Sequence, residues 1–363
     1  MYHFNFGGAE SVVHIQENIP SLDDVLSNFA PSPPLPALFV CDSRTERIAR
    51  RVAPDGAGFC VLEAGESAKS WRSVEKTLRS AREAGLGRDG LFVAVGGGVV
   101  TDSAGFAASV YMRGARLAFV STTLLGMADA AVGGKTAVDL FDLKNFAGSF
   151  YPAQAVYMPT SVLQSLPAPE RRSGLAEIIK TAILDGDGDD AFEGFRALEG
   201  FIRSDDAPAP PSLCELISQA VRVKGRIVEA DPKETGEERA LLNLGHTFAH
   251  ALESSAGLGK LSHGEAVAWG LARSCELGEA LGRTPAPRGA RIRRLLEDLS
   301  YELAAPHPAM GSLDLFMRSL GGDKKKKAGA LRFVVPAERG AEIIQLTMEN
   351  IDLVKHIAAG ACA

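Results

Sequence analysis

The sequence predicts two domains, an α/β domain over residues 1–165 and a mostly helical, all-α domain over 166–363. Three observations predict this. Short apolar runs at 38–42, 91–95 and 117–121 are separated by helical patterning, which is the signature of βαβ units and a parallel sheet. After about residue 165 the apolar residues recur at helical spacing instead. A chain of 363 residues fits two domains at roughly 150 residues each.

In chain order, PSPPLP at 31–36 separates a short N-terminal piece from LFVCD at 38–42, an apolar strand ending in Asp42. SWRSVEKTLRSAREAGL at 70–86 reads as a helix, LFVAV at 91–95 as the second strand and LAFVS at 117–121 as the third. The helical half is carried by four segments, 169–185, 210–231, 241–257 and 263–282. DDAPAPP at 205–211 and TPAPRG at 284–289 read as loops between helices, and LRFVVP at 331–336 as a late strand.

Lys plus Arg total 39 and Asp plus Glu 45, so the net charge is 39 − 45 = −6, against a nucleic-acid partner. With 46% hydrophobic and 23% charged residues the composition excludes disorder over most of the chain. The five cysteines are scattered and form no CxxC pair, so neither a disulfide framework nor a zinc ribbon is expected. The opening residues show no basic segment followed by an apolar run, and no apolar stretch approaches the roughly 20 residues a membrane span needs. The expectation is a reduced, cytoplasmic protein without a membrane partner.

Two glycine-rich segments carry chemistry. In VAVGGGVVTDSAGF an apolar strand runs into Gly96, Gly97 and Gly98, with Asp102 and Gly105 in the helix that follows. Glycines permit a tight turn and close ligand approach, and a helix start offers free N–H groups to a phosphate. The pattern is not GxGxxG, so it points to nucleotide phosphate without the usual fingerprint. STTLLGMADAAVGGKT follows, with Thr122 and Thr123 after a strand and Asp129 and Lys135 on either side of Gly133 and Gly134. The earlier glycine of a P-loop is missing, because Asp129 stands there. Lys135, Lys144 and Asn145 lie in an otherwise apolar stretch, as solvated loop residues or as ligand contacts.

A metal constellation follows. His246 and His250 are four residues apart, on one helical face, and His263 comes seventeen residues after His246. A catalytic metal site uses three protein ligands and keeps a position open. HExxH is absent, since Thr247 follows His246, which disfavours a zincin protease. On the apolar helix GLAEIIKTAIL the polar stripe is Glu177, Lys180 and Thr181. Their carboxylate and ammonium are either an internal ion pair or a metal ligand beside an anion contact. Arg239, Lys224 and the DKKKK run at 323–327 are each surface cations when read alone.

These pieces together resemble the 3-dehydroquinate synthase family, of the sugar phosphate cyclase superfamily. The matching stretches are GESAKS (65–70), GGGVVTDSAGF (96–106), YMRG (111–114), TTLLGMADAAVGGKT (122–136), LKN (143–145), GLAEIIK (174–180), RALLNLGHTFAHALE (239–253), HGEAVA (263–268) and DKK (323–325). The resemblance implies an NAD-binding α/β domain and a helical metal- and substrate-binding domain, in a homodimer. It implies conversion of 3-deoxy-D-arabino-heptulosonate 7-phosphate to 3-dehydroquinate and phosphate, in the shikimate pathway of aromatic amino-acid biosynthesis. An alcohol is oxidised, the neighbouring C–H is acidified, phosphate leaves, the hydride returns and an aldol step closes the ring. It implies that Glu177, His246 and His263 hold a divalent metal, zinc or cobalt, and that His250 is an acid/base group near the leaving phosphate. NAD contacts are implied for Asp42, Glu66, Lys69, Gly97, Gly98, Val99, Asp102, Thr122, Thr123 and Lys144. Substrate contacts are implied for Asp129, Lys135, Lys144, Asn145, Lys180, Lys224, Arg239, Asn243 and Lys324 or Lys325, with Arg113 reaching a phosphate in a partner subunit.

The chain departs from the family pattern locally. Asp139 stands where many relatives carry Asn, Ala249 replaces a common Gly, and Pro232 an acidic residue. The segment before Arg239 is one residue longer, and matching Lys224 places the extra residue after it. The competing readings are another sugar phosphate cyclase, such as 2-deoxy-scyllo-inosose synthase, a metal-dependent polyol dehydrogenase that would release NADH, and a non-catalytic scaffold. His250 argues against the 2-epi-5-epi-valiolone branch, and the intact set of Glu177, His246 and His263 argues against the scaffold.

Overall fold

A strand buried at every position must be covered on both faces, and Leu91–Gly96 (β5) is such a strand. It lies inside the sheet of the first of two units. The computed structural model describes all residues except 30–35, 142, 187–190, 258, 323–330, 348–349 and 361–363. The units are Met1–Leu166 with Lys224–Lys233, and Pro167–Val223 with Glu234–Ala363.

The first unit runs β1 (Tyr2–Phe6), β2 (Ala9–Gln16), α1 (Leu22–Leu26), β3 (Ala37–Asp42), α2 (Glu46–Val52), β4 (Gly58–Leu62), α3 (Trp71–Glu83), β5, α4 (Gly98–Val110), β6 (Arg116–Ser121), β7 (Lys135–Leu140), β8 (Leu143–Phe150) and β9 (Ala155–Pro159). Among the described residues its main sheet has seven strands in the order β1-β2-β9-β6-β5-β3-β4. β1 and β2 form an antiparallel hairpin and the other pairings are parallel. β-Branched and aromatic residues on the inner strands make the core: Phe39, Val93, Val95, Val120 and Tyr157. A crossing order of this kind is what helix-linked parallel strands produce. The segment 135–150 is an antiparallel ribbon, β7 on β8, and it packs against α4.

The second unit contains α5 (Ala168–Leu184), α6 (Ala191–Arg196), α7 (Glu199–Arg203), α8 (Ser212–Ala230), α9 (His246–Ala256), α10 (His263–Ala280), α11 (Ala286–Asp298), α12 (Leu313–Gly322), β10 (Leu331–Pro336), β11 (Ala341–Leu346) and α13 (Ile351–Ala359). An aromatic cluster of Phe248, Trp269, Phe316 and Phe333 joins α9, α10, α12 and β10. Among the described residues the unit's only strands are those of the antiparallel ribbon β10–β11.

Two sequence readings are corrected here. TPAPRG at 284–289 is not all loop: α11 starts at Ala286 with Pro287 in its first turn, where a missing N–H costs no hydrogen bond. The last stretch of α8 does not stay with the helical half, because residues 224–233 cluster with the first unit. Gly225 leaves room for the Phe4 ring of β1, and the Asn5 N–H donates to Glu229 Oε1 at 2.6 Å.

Candidate functional site

Helices α5, α9 and α10 each bring one ligand to a common point. α5 is buried almost all round, so its polar residues sit inside, with Glu177 at 0% and Lys180 at 1% exposure. A lone carboxylate at that depth is costly. The Lys180 ammonium contacts Glu177 Oε2. His246 Nε2 from α9 and His263 Nε2 from α10 stand 3.5 and 3.3 Å from Glu177 Oε1. Ligand atoms of the three residues lie within 4.8 Å of one another. Bonds of about 2.0–2.2 Å from one divalent ion would close that gap.

The surroundings fix the imidazoles. Gly245 takes the left-handed conformation, φ 79°, at the turn into α9. The preceding Leu244 carbonyl lies 3.1 Å from His246 Nδ1, which places the proton on that nitrogen and leaves Nε2 as the one able to ligate. His263 Nδ1 lies 3.6 Å from Glu253 Oε2. Burial would raise the Glu177 carboxyl, but Lys180 and the two imidazoles outweigh it and hold it well below the usual range. Burial, then Lys180, push His246 down to about 3, so it is neutral, the form that ligates. Burial would lower His263, but Glu177 and Glu253 prevail and raise it to about 10. A metal would displace that proton on binding.

His250 lies one turn beyond His246, its ring 5.4 Å from that of His246 and 6.3 Å from that of His263. It is exposed. Buried Arg239 and half-buried Asn243 sit on the 3₁₀ turn Arg239–Asn243, which packs against α5. Lys324 and Lys325 lie outside the described residues.

The first unit holds the glycine cradle. Gly97 is extended between β5 and α4, and a Cβ there would stand 2.7 Å from Thr123 Cγ2. Gly98 and Val99 open the helix, so unpaired N–H groups face the turn. The Thr122 N–H donates to the Gly96 carbonyl at 3.0 Å, while the buried hydroxyls of Ser121 and Thr122 have no partner among the described residues. Such hydroxyls beside a helix start suit a phosphate or ribose. Lys69 Nζ meets Asp102 Oδ2 at 2.6 Å, both largely buried. Burial raises Asp102 to about 6 despite the ammonium, whereas for Lys69 the carboxylate outweighs burial and its pKa rises. Asp42 ends β3, its Oδ1 accepting from the N–H groups of Arg44 and Thr45. Glu66 is exposed on a 3₁₀ turn.

Asp129 and Lys224, far apart in sequence, meet: Lys224 Nζ donates to Asp129 Oδ1 at 2.7 Å and to its carbonyl at 2.6 Å. The ribbon does not gather its cations, because Lys135 pairs with Phe150 at one end while Lys144 and Asn145 lie at the other. Asn145 has φ 53° and donates its N–H to Asp139 Oδ1 at 2.7 Å, which gives Asp139 a local role. Arg113 is exposed, in a turn where Met112, Arg113 and Gly114 all have positive φ. Sequence reading gave no role to Glu253. Its place seven residues after His246, two helical turns along the same face, is the signal that would have found it.

The family description "3-dehydroquinate synthase N-terminal" matches residues 59–173, and "3-dehydroquinate synthase C-terminal" matches 174–326. The chain is 39% identical over 306 residues to a 3-dehydroquinate synthase of Xanthomonas oryzae pv. oryzae (strain PXO99A), covering 83% of this chain and 80% of that one. It is 42% identical over 283 residues to one of Legionella pneumophila (strain Lens), covering 77% and 74%. Among solved structures, ValA, a 2-epi-5-epi-valiolone synthase from Streptomyces hygroscopicus subsp. jinggangensis 5008 with NAD+ and Zn2+ bound, aligns with TM-score 0.81 and 28% identity over 97% of each chain. The chain belongs to the 3-dehydroquinate synthase family.

Proposed function

We propose that this chain converts 3-deoxy-D-arabino-heptulosonate 7-phosphate to 3-dehydroquinate and phosphate, using NAD and one divalent metal. The observation that carries the reading is the meeting of Glu177, His246 and His263, with His250 one turn on, in a member of this family. The donor set, one buried carboxylate and two imidazoles, suits zinc or cobalt. The glycine cradle and the orphaned Thr122 hydroxyl suit a dinucleotide. When bound, NAD supplies reversible hydride transfer and the metal supplies Lewis acidity at substrate oxygens.

The chain's own residues do the rest. Lys180 and Arg239 in the second unit, and Lys224 in the first, are buried cations of the kind that takes a carboxylate or a phosphate. Asp129 anchors the Lys224 ammonium through a charge-assisted bond. His250 is the group that exchanges a proton with the substrate. Asp42, Glu66, Lys69, Asp102, Thr123 and Lys144 serve NAD, and Lys135, Asn145 and Asn243 serve the substrate. Among the described residues no helix is long and apolar enough to cross a membrane. A homodimer is supported by exposed Phe141, Leu143, Phe146 and Phe150 on the β7–β8 ribbon, an apolar patch for a second copy to cover, and by Arg113 on its outward turn. Sedimentation of the purified protein tests that point.

The deciding assay measures phosphate release from a panel of sugar phosphates with substoichiometric NAD+. The expected result is turnover on the heptulosonate phosphate without net NADH absorbance. Steady NADH accumulation with a polyol would instead show a dehydrogenase.

A further inference from the structure

We propose that Arg172 and Glu265, which touch neither metal ligand in the geometry above, are positioning residues that set the distance between Glu177 and His263. The inference rests on the metal-centre reading. His263 is the first residue of α10. A helix end is where backbone N–H groups lack partners and fraying concentrates, so a ligand there needs an external restraint. Glu177 needs none of this kind, being in the interior of α5.

The restraint is an arginine–carboxylate contact between α5 and α10. Two residues past His263, Glu265 Oε1 receives both Nε and a terminal nitrogen of Arg172 at 2.7 Å. Arg172 lies on α5, five residues before Glu177. Its remaining donors reach the Leu299 carbonyl at 2.8 Å and the Ser300 carbonyl at 3.0 Å, just beyond α11. The guanidinium stacks 4.4 Å over the Tyr301 ring, whose hydroxyl donates to the Arg172 carbonyl at 2.8 Å. Beside this fork the helices touch backbone to backbone. The Gly264 N–H donates to Ser173 Oγ at 3.1 Å, and a Cβ at Gly264 would overlap the Ser173 backbone. Ser262 caps α10 by accepting from the Glu265 N–H at 3.2 Å. The first turn of α10 is thus held on α5 by a planar fork that a lysine cannot reproduce. Metal ligands must be placed within about 0.2 Å, so slack at this turn reads out as lost affinity.

The test uses full-length protein stripped of metal and titrated with Zn2+ against a competing chelator, well below the unfolding temperature of every variant. Arg172→Lys and Glu265→Gln should each weaken Zn2+ binding by about tenfold or more, the usual range for residues behind a ligand. The double variant should be no weaker than the worse single one, because both break one fork. NAD affinity should not change, and a purely structural loss would leave the Zn2+ affinity of the folded protein unchanged. Parent-like Zn2+ affinity in both folded single variants overturns the proposal. His263→Ala separates the two ideas. If it loses Zn2+ while the fork variants keep it, only the positioning role fails; if it keeps Zn2+, the metal centre itself fails. Should Arg172→Lys not fold, Glu265→Gln alone decides.

Discussion

His263 carries the heaviest demands of any single side chain, since both its nitrogens face carboxylates and only one can take a metal. His263→Ala should abolish phosphate release and leave less than stoichiometric metal by elemental analysis, with the fold intact by circular dichroism. Asp102 gives a pH prediction away from the metal. Its folded pKa is raised to about 6 by burial, from the ordinary 3.8 of an exposed aspartate. Between those values the unfolded chain has released the proton while the folded chain keeps it. Stability from this group therefore falls as pH rises through that window and is level above it, by up to about 3 kcal/mol. Asp102→Asn should remove this slope, so that the melting temperature of the variant relative to the parent rises from pH 4 to pH 6. An unchanged difference across that range would contradict it. The candidate metal group was legible in the sequence because His246 and His263 in one short window, and Glu177 on an apolar helix, are chemically conspicuous. Glu253, Arg172 and Glu265 were not, because charged residues on helices are ordinary until their partners, distant in sequence, are known.

At the scale of elements, strand β5 follows from an unbroken apolar run and helices α5, α8, α9 and α10 from apolar residues at helical spacing. The β7–β8 ribbon did not, because in β8 exposed Leu143, Phe146 and Phe150 are mixed with exposed Lys144 and Asn145, so apolar and polar residues do not alternate. The start of α11 was hidden by its prolines, which mark a helix start and a loop equally well. The meeting of β1 with α8 is testable. Gly225→Ala would drive a methyl group into the Phe4 ring, and overpacking of this kind costs about 1–3 kcal/mol. It should lower the melting temperature, and because Lys224 is the next residue it should also raise KM for the sugar phosphate. Phe4→Leu in the same chain should restore part of both. At the cradle, Gly97→Ala should weaken NAD binding in a fluorescence titration and leave Zn2+ affinity alone, since the added carbon meets Thr123.

For the whole molecule, the acidic balance of −6 says little about the sites, because Lys180, Lys224 and Arg239 are buried while much of the negative charge is not. Ligand binding to the folded state alone adds stability by mass action, about 2.7 kcal/mol at a hundredfold excess over Kd. Chelation should therefore lower the melting temperature by several degrees, and restored Zn2+ should recover it. Differential scanning calorimetry reads this directly, and an unmoved melting temperature would mean that the ion does not bind the native chain. The path of the chain carries a consequence for dissection. The family descriptions meet at 173 and 174, yet the first unit borrows residues 224–233 from beyond that junction. A fragment ending near 166 would therefore uncover Phe4 and deprive Asp129 of its ammonium. Genetic modularity and structural autonomy do not coincide here: a free-standing first unit has to be engineered with that ten-residue graft, not obtained by scission.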